Sequence, residues 1–370
     1  MSYGKPGRMD PLAGWTVAVT AERRAREQVE LLQRRDATVL LVPTVRAERV
    51  DDSVLQSTTA ALIERPPDLW VASSAAAVQG WISSAWSWGL GPSVMRTLCG
   101  ASVLPRGAST AGALVGEGLD VDWQAPTDTL DGLVDHLAER GVTGQRVAVL
   151  LHGSDMTWFA EALRQLGAEV IEVPVYRLSA PEPDPGLTRL RDAAALRELD
   201  AITFTSQAAA RNLALGGGPE LLERLATAGV ICACVGPLTA RAALAAGLPG
   251  VVVAEPNRLG SMIGLLADHL GRRGREFEMA GLPVRLQGAR LAIDGKQVRL
   301  TPRERTLLEA MAAAGGAVMS KRTLSQLAWA TAVSEHTVEV TVNRLRTKLG
   351  PAAVALETSN RRGYRLAVAG

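Results

Sequence analysis

The stretches VAVTAERRAREQVELLQRRDATVLLVPTVR (17–46) and VAVLLHGSDMTWFAEALRQLGAEVIEVPVYR (147–177) are two copies of one plan. Each reads as a β-branched run, a helical pattern, a second β-branched run and then Val-Pro-x-x-Arg. Pro43 and Pro174 are 131 positions apart, as are Arg46 and Arg177. Two more collinear matches follow. WVASSAAAV (70–78) resembles ITFTSQAAA (202–210), aligning Ser74 with Ser206, and GASTAGALVGEGL (107–119) resembles GPLTARAALAAGL (236–248). Short strand patterns alternating with longer helical ones specify βα units on a parallel sheet. Leu31, Leu32, Leu163 and Leu166 mark inward helix faces, and Gly167 and Gly247 sit where helices end. The repeat therefore predicts two similar α/β domains with a cleft between them.

Working outward, the composition excludes several classes. The chain has 370 residues, 47% hydrophobic and 21% charged, which suits folded domains and excludes a mostly disordered chain. No stretch approaches the roughly 20 apolar residues a membrane-spanning helix needs, so no membrane partner is expected. Residues 1–11 lack the apolar core of a secretory signal, and a cytoplasmic protein is expected. The three cysteines, Cys99, Cys232 and Cys234, stand in apolar surroundings and read as buried thiols rather than a disulfide framework or metal site. The four histidines have no ligand spacing, and the dinucleotide, P-loop, zinc-protease and serine-hydrolase motifs are absent. No metal and no cofactor is expected. What recurs instead is Ser/Thr/Gly-rich turns opening helices, at Ser73-Ser74, 107–110, Ser154, Thr205-Ser206 and 236–239. Free N–H groups at helix starts suit an anionic small molecule, and they are also what ordinary N-caps look like.

The far end differs in charge. Residues 284–370 carry 14 Lys/Arg against 6 Asp/Glu, a net of +8, leaving −6 on residues 1–283. A compact basic end on an acidic body points to nucleic acid. GRRGREFEMAGLP (271–283) reads as a polar boundary, with a linker expected at 273–283. Beyond it, apolar and polar residues alternate around Asp294-Gly295, a hairpin signal. Thr301-Pro302-Arg303-Glu304 is a capping box with Pro at the first helical position. Ser320 and Ser334 cap two further helices. In the last of these Val338, Val342, Leu345 and Leu349 form one buried stripe. Off that stripe stand His336, Thr337, Val340, Thr341, Asn343, Arg344, Thr347 and Lys348, with Glu339 the central carboxylate. Such hydrogen-bonders and cations suit a major groove, and Arg361-Arg362 on the following turn suit phosphates or a minor groove.

Two resemblances follow. VPVYRL (173–178), AITFTS (201–206) and CVGPLTARAALAAGL (234–248), with VVVAEPNRLGSMIGLL after it, resemble uroporphyrinogen-III synthase over about residues 12–272. That resemblance implies two flavodoxin-like parallel-sheet domains with an interdomain cleft, one formed by 1–45 with 175–272 and the other by 46–174. It implies cofactor-free closure of hydroxymethylbilane with inversion of ring D. Tyr176 matches the family's tyrosine proposed to assist loss of the hydroxyl, and Ser206 and Thr239 match cleft hydroxyls. Thr20, Ser73, Ser74, Arg106, Ser109, Thr110, Ser154, Arg177 and Thr205 complete the candidate cleft. LTPRERTLLEAM, GGAVMSKRTL, HTVEVTVNRLRTKLG and TSNRRGYRL resemble the OmpR-type winged helix-turn-helix domain over about 284–368, assigned here as 284–370. This α+β resemblance implies double-stranded DNA as partner, a recognition helix over 335–349, a wing at Arg361 and Arg362, and a dimer on DNA. The candidate DNA residues are His336, Thr337, Thr341, Asn343, Arg344, Arg346, Lys348, Asn360, Arg361, Arg362 and Tyr364. Two functions stay open. One is a transcriptional regulator whose synthase-like module senses a ligand or partner, with nitrite, sulfite or tetrapyrrole-linked genes as associated targets. The other is a bifunctional synthase that also binds DNA.

Overall fold

The computed structural model describes residues 9–22, 24–125, 130–152, 156–179, 185–329, 333–359 and 362–368. Ser154, Asn360 and Arg361 lie outside the described residues, as does the side chain of Arg177. The chain divides into two compact units, Arg46–Ser179 and Met1–Val45 with Ala180–Gly370.

In chain order the first ten strands are β1 (Thr16–Val19), β2 (Thr38–Leu41), β3 (Arg46–Arg49), β4 (Leu69–Ala72), β5 (Ser102–Pro105), β6 (Arg146–His152), β7 (Glu169–Ser179), β8 (Ala201–Phe204), β9 (Ile231–Cys234) and β10 (Val251–Val253). They form two sheets, β10-β9-β8-β1-β2 and β3-β7-β6-β4-β5. The first is wholly parallel; the second is parallel except for β3, which pairs antiparallel with β7. The repeat explains this layout. β1 and β2 match β6 and β7, while β8 and β9 match β4 and β5, so the two copies occupy the same sheet positions although their halves come in opposite chain order.

The strands read as nearly continuous apolar runs because both sheet faces are covered. In β4, Trp70 and Ala72 join one core cluster while Leu69 and Val71 join another, and all four are fully buried. Alternation along a strand thus serves two helical layers at once. Gly167 and Gly247 take left-handed backbone just past helices Thr157–Gln165 and Pro237–Ala245. The domain boundary differs from expectation: β7 runs unbroken to Ser179, so Tyr176 belongs to the unit Arg46–Ser179. Cys232 and Cys234 are buried, and burial pushes Cys234 up to about 12 and Cys232 further. Cys99, expected inside, is exposed at the end of helix Gly91–Cys99.

The C-terminal part opens with an antiparallel sheet of β11 (Arg275–Met279), β12 (Leu282–Gln287), β13 (Arg290–Ile293) and β14 (Lys296–Arg299). The expected linker 273–283 is therefore largely strand: β11 pairs with β12 from Arg275↔Leu286 to Met279↔Leu282, and Met279 is buried in the core. Asp294 and Gly295 both take positive φ, 47° and 78°, between Ile293 and Lys296, as a two-residue primed turn requires. Helices Pro302–Ala313, Lys321–Ala328 and Glu335–Leu349 follow, then the hairpin β15 (Leu356–Ser359) and β16 (Gly363–Leu366). Thr301 and Glu304 form the reciprocal capping box, and Ser320 and Ser334 cap their helices. Val338, Val342, Leu345 and Leu349 are buried in one core with Leu307, Leu308, Met311 and Leu324.

Within their shared unit, this domain and the β1/β8 sheet domain are fastened together. The Gln287 side chain donates to the Asp10 and Ala13 carbonyls at 2.7 and 3.0 Å, and the Ala289 N–H donates to the Gly14 carbonyl at 2.7 Å. A Cβ on Gly14 would run into the Gln287 carbonyl oxygen, and one on Gly288 into the Gly14 carbonyl oxygen. Only glycine lets these backbones approach so closely. Arg290 pairs with Asp36 at 2.8 Å, and Arg305 pairs with Asp200 at 2.8 Å while stacking over Trp15 at 5.0 Å.

Candidate functional site

In an open α/β sheet, ligands bind beyond the carboxyl ends of the strands where strand order reverses. In the unit Arg46–Ser179 that point lies between β4 and β6. Ser73, fully buried, donates its hydroxyl to the Leu150 carbonyl and ties those two ends together. Ser74 caps helix Ala75–Ser87, accepting from the Ala77 N–H at 3.1 Å. Its hydroxyl also lies 3.0 Å from the hydroxyl of Tyr176, which is 8% exposed. Arg106 follows β5, half-buried, its backbone N–H bonded to the Ala72 carbonyl at 2.9 Å. Ser109 and Thr110 lie in the first turn of helix Ala108–Gly116, the serine exposed and the threonine buried. Ser73, Ser74, Arg106, Ser109, Thr110 and Tyr176 therefore gather at one end of one sheet.

The β1/β8 sheet repeats the device at its own reversal point. Thr20, fully buried, donates to the Thr203 carbonyl at 2.7 Å across β1 and β8. Ser206 caps helix Gln207–Thr227 through the Ala209 N–H at 3.2 Å, with Thr205 half-buried beside it. Thr239 is buried in the first turn of helix Pro237–Ala245. Thr20 and Ser73 are thus spent on holding strand ends. The Ser74–Tyr176 hydroxyl pair differs: it joins a helix start to a group able to exchange a proton.

On helix Glu335–Leu349 the placement is uneven. His336, Asn343, Arg344 and Thr347 are exposed, and Thr337 and Thr341 are half-buried. Arg346, Lys348 and Tyr364, expected among the DNA-contacting groups, have other partners inside the domain. Arg346 donates to the Leu356 carbonyl and the Thr358 hydroxyl, both at 2.8 Å, and stacks over buried Tyr364 at 5.7 Å. Lys348 donates to Glu304 at 2.6 Å and to the Arg299 carbonyl at 2.8 Å. Arg362 is exposed, its N–H closing the wing turn on the Ser359 carbonyl.

Two partnerships escape sequence reading. Lys321 donates to Glu339 at 2.6 Å and to Glu335 at 3.0 Å, hydrogen bonds that raise the lysine above its usual range and hold Glu339 below its own. Both carboxylates of helix Glu335–Leu349 are thereby drawn onto one lysine. Asp200 is 6% exposed, and burial drives its carboxyl upward against the pull of Arg305 and the Thr16 N–H. Burial also opposes the Arg305 charge, but Asp200 and Glu309 outweigh it.

Comparison with known proteins decides the lineage. The family model for uroporphyrinogen-III synthase HemD matches residues 26–264. The chain belongs to the uroporphyrinogen-III synthase family. A putative uroporphyrinogen-III synthase of Methanothermobacter thermautotrophicus is 30% identical over 252 residues, 67% of this chain and 95% of that protein. A crystal structure of a mutant uroporphyrinogen III synthase from the extreme thermophile Thermus thermophilus is 28% identical, covers 70% of this chain and 99% of its own, and superposes with a TM-score of 0.57. A uroporphyrinogen-III synthase of Synechococcus elongatus is 33% identical over 140 residues, 36% of this chain and 50% of that protein. Residues 295–366 match a second family, the C-terminal domain of transcriptional regulatory proteins. The chain therefore joins a uroporphyrinogen-III synthase domain to an OmpR-type domain, and each keeps the fold its sequence implies.

Proposed function

We propose that this member of the uroporphyrinogen-III synthase family is a double-stranded-DNA-binding transcriptional regulator, and that its synthase-type module senses a tetrapyrrole-related anion or a partner. The observation that carries the reading is helix Glu335–Leu349. Its apolar stripe is fully spent on the core, its carboxylates Glu335 and Glu339 are both drawn onto Lys321, and His336, Asn343 and Arg344 remain at the surface. Such a face offers hydrogen-bond donors and acceptors of the kinds that pair with base edges. Nitrite, sulfite or tetrapyrrole-linked genes are the associated targets, and a dimer would place half-sites about 10 to 10.5 base pairs apart or a multiple of that. A genome-wide footprint of the full chain tests the reading; recovery of no enriched sites would sink it.

One observation favours the second reading, a synthase that also binds DNA. The Ser74–Tyr176 pair stands where the family resemblance places its acid-assisting tyrosine. Incubating the purified chain with hydroxymethylbilane and resolving the product isomers decides it. Accumulation of the type III isomer supports the bifunctional enzyme, and only the uncatalysed isomer leaves the sensor.

A further inference from the structure

A cavity of about 710 Å³ lies between the OmpR-type domain and the β1/β8 sheet domain, within one compact unit. One wall holds Thr341 and Arg344 of the recognition helix, with Arg303 and Trp329. The other wall comes from the synthase-type domain and carries Arg197 and Arg224, together with Glu198 and Glu223. We propose that this second wall is part of the DNA interface, with Arg197 taking a backbone phosphate beside the groove that Arg344 enters. The proposal rests on the DNA reading above and extends it to a domain that resembles an enzyme.

Four observations carry it. First, the domains are fastened through residues outside this lining, Asp200–Arg305, Gln287 and the Gly14–Gly288 approach, so Arg344 and Arg197 are held facing one opening. Second, Arg197 is exposed and makes no ion pair among the described residues, whereas Arg224 is held by Glu220 at 2.6 Å. Third, Arg197 takes φ +55° in the turn after helix Pro185–Ala195, where its N–H bonds the Ala194 carbonyl and the Glu198 N–H bonds the Ala193 carbonyl. Glycine is the residue that such a helix end favours, so an arginine there carries a charge outward at a conformational cost. Fourth, Arg303 is exposed on the facing wall and lies over the Trp329 ring at 5.6 Å, which puts a second guanidinium across the cavity from Arg197. Arginine forks suit phosphate oxygens. Glu198 and Glu223 lie in the same lining and oppose an approaching phosphate, which gives the test a second sign.

The experiment is salt-titrated anisotropy of the full chain on a random-sequence 30-base-pair duplex, since phosphate contacts are sequence-independent. Arg197→Gly keeps the left-handed turn without strain, so loss of binding through misfolding is avoided, and Arg197→Lys restores the charge. The expected results are a several-fold weaker complex for Arg197→Gly, with a salt slope shallower by about 0.9 for the lost phosphate contact. Partial recovery is expected with Arg197→Lys, and tighter binding with Glu198→Gln/Glu223→Gln. Unchanged binding by Arg197→Gly, on a duplex that the wild-type chain does bind, overturns this proposal and leaves the DNA reading intact. No measurable binding of the duplex by the wild-type chain overturns the DNA reading itself. Tighter binding by Arg197→Gly shows a wall that obstructs DNA and also overturns the proposal.

Discussion

The Tyr176 hydroxyl on β7 lies 3.0 Å from the hydroxyl of Ser74, which already caps helix Ala75–Ser87, so two separate elements place the pair. Tyr176→Phe removes that hydroxyl and leaves the Ser74 cap on Ala77 in place. A stability loss of about 0.5–1.5 kcal/mol is expected, the usual worth of one hydrogen bond, with unchanged far-ultraviolet dichroism. If the chain turns over hydroxymethylbilane, formation of the type III isomer should slow in the same variant; an undiminished rate would remove Tyr176 from the chemistry. Single residues were unevenly legible. Ser74 and Ser206 could be aligned because a cap is a local signal, written within three residues. Arg346, Lys348 and Tyr364 looked like surface cations and a wing aromatic, yet each meets a partner at least 10 positions away in sequence. Nothing local announces such partners.

Among the elements, helix Pro302–Ala313 shows how one side chain can serve two ends. Glu304 closes the capping box on the Thr301 N–H at 2.7 Å and also receives Lys348 from the end of helix Glu335–Leu349 at 2.6 Å. Burial acts to raise its carboxyl, but these hydrogen bonds outweigh it and hold Glu304 below the usual carboxylate range. A group with a lowered folded value stabilises fully above its unfolded value and loses that contribution as pH falls through the folded one. Glu304→Gln should therefore cost about 1–3 kcal/mol near neutrality, with the deficit shrinking as pH drops below the ordinary carboxylate range. Denaturant midpoints followed across pH check this, and a deficit independent of pH would contradict it. Elements with local signatures were readable in advance: the Asp294-Gly295 hairpin, the capping box and the Val338–Leu349 stripe. Strand β11 was not. Arg275–Met279 carries charges at 275, 276 and 278 and only two apolar residues, a pattern that an edge strand with one solvated side shares with a linker, and only its pairing to β12 separates the two.

Over the whole molecule, the repeat revealed two parallel-sheet domains, because periodic strand and helix patterns survive in any chain order. The fastening of the OmpR-type domain onto the β1/β8 sheet domain was not visible, since Asp200 and Arg305 lie 105 positions apart and each alone resembles an ordinary surface charge. Asp200→Asn should cost about 1–3 kcal/mol, because it leaves the Arg305 guanidinium, 15% exposed, with only Glu309 as counter-charge. The same variant should speed hydrogen exchange at the Ala289 amide, which donates to Gly14 across the joint; unchanged exchange there would mean that the ion pair does not hold the domains together. The central claim is that this chain reads DNA through helix Glu335–Leu349. Its most direct test is a salt-titrated binding series comparing wild type and Arg344→Ala on a footprinted genomic site and a scrambled duplex. The account predicts a loss of about 1–3 kcal/mol on the genomic site and a relaxed preference at one base position. Unchanged affinity and unchanged preference for that site would contradict it.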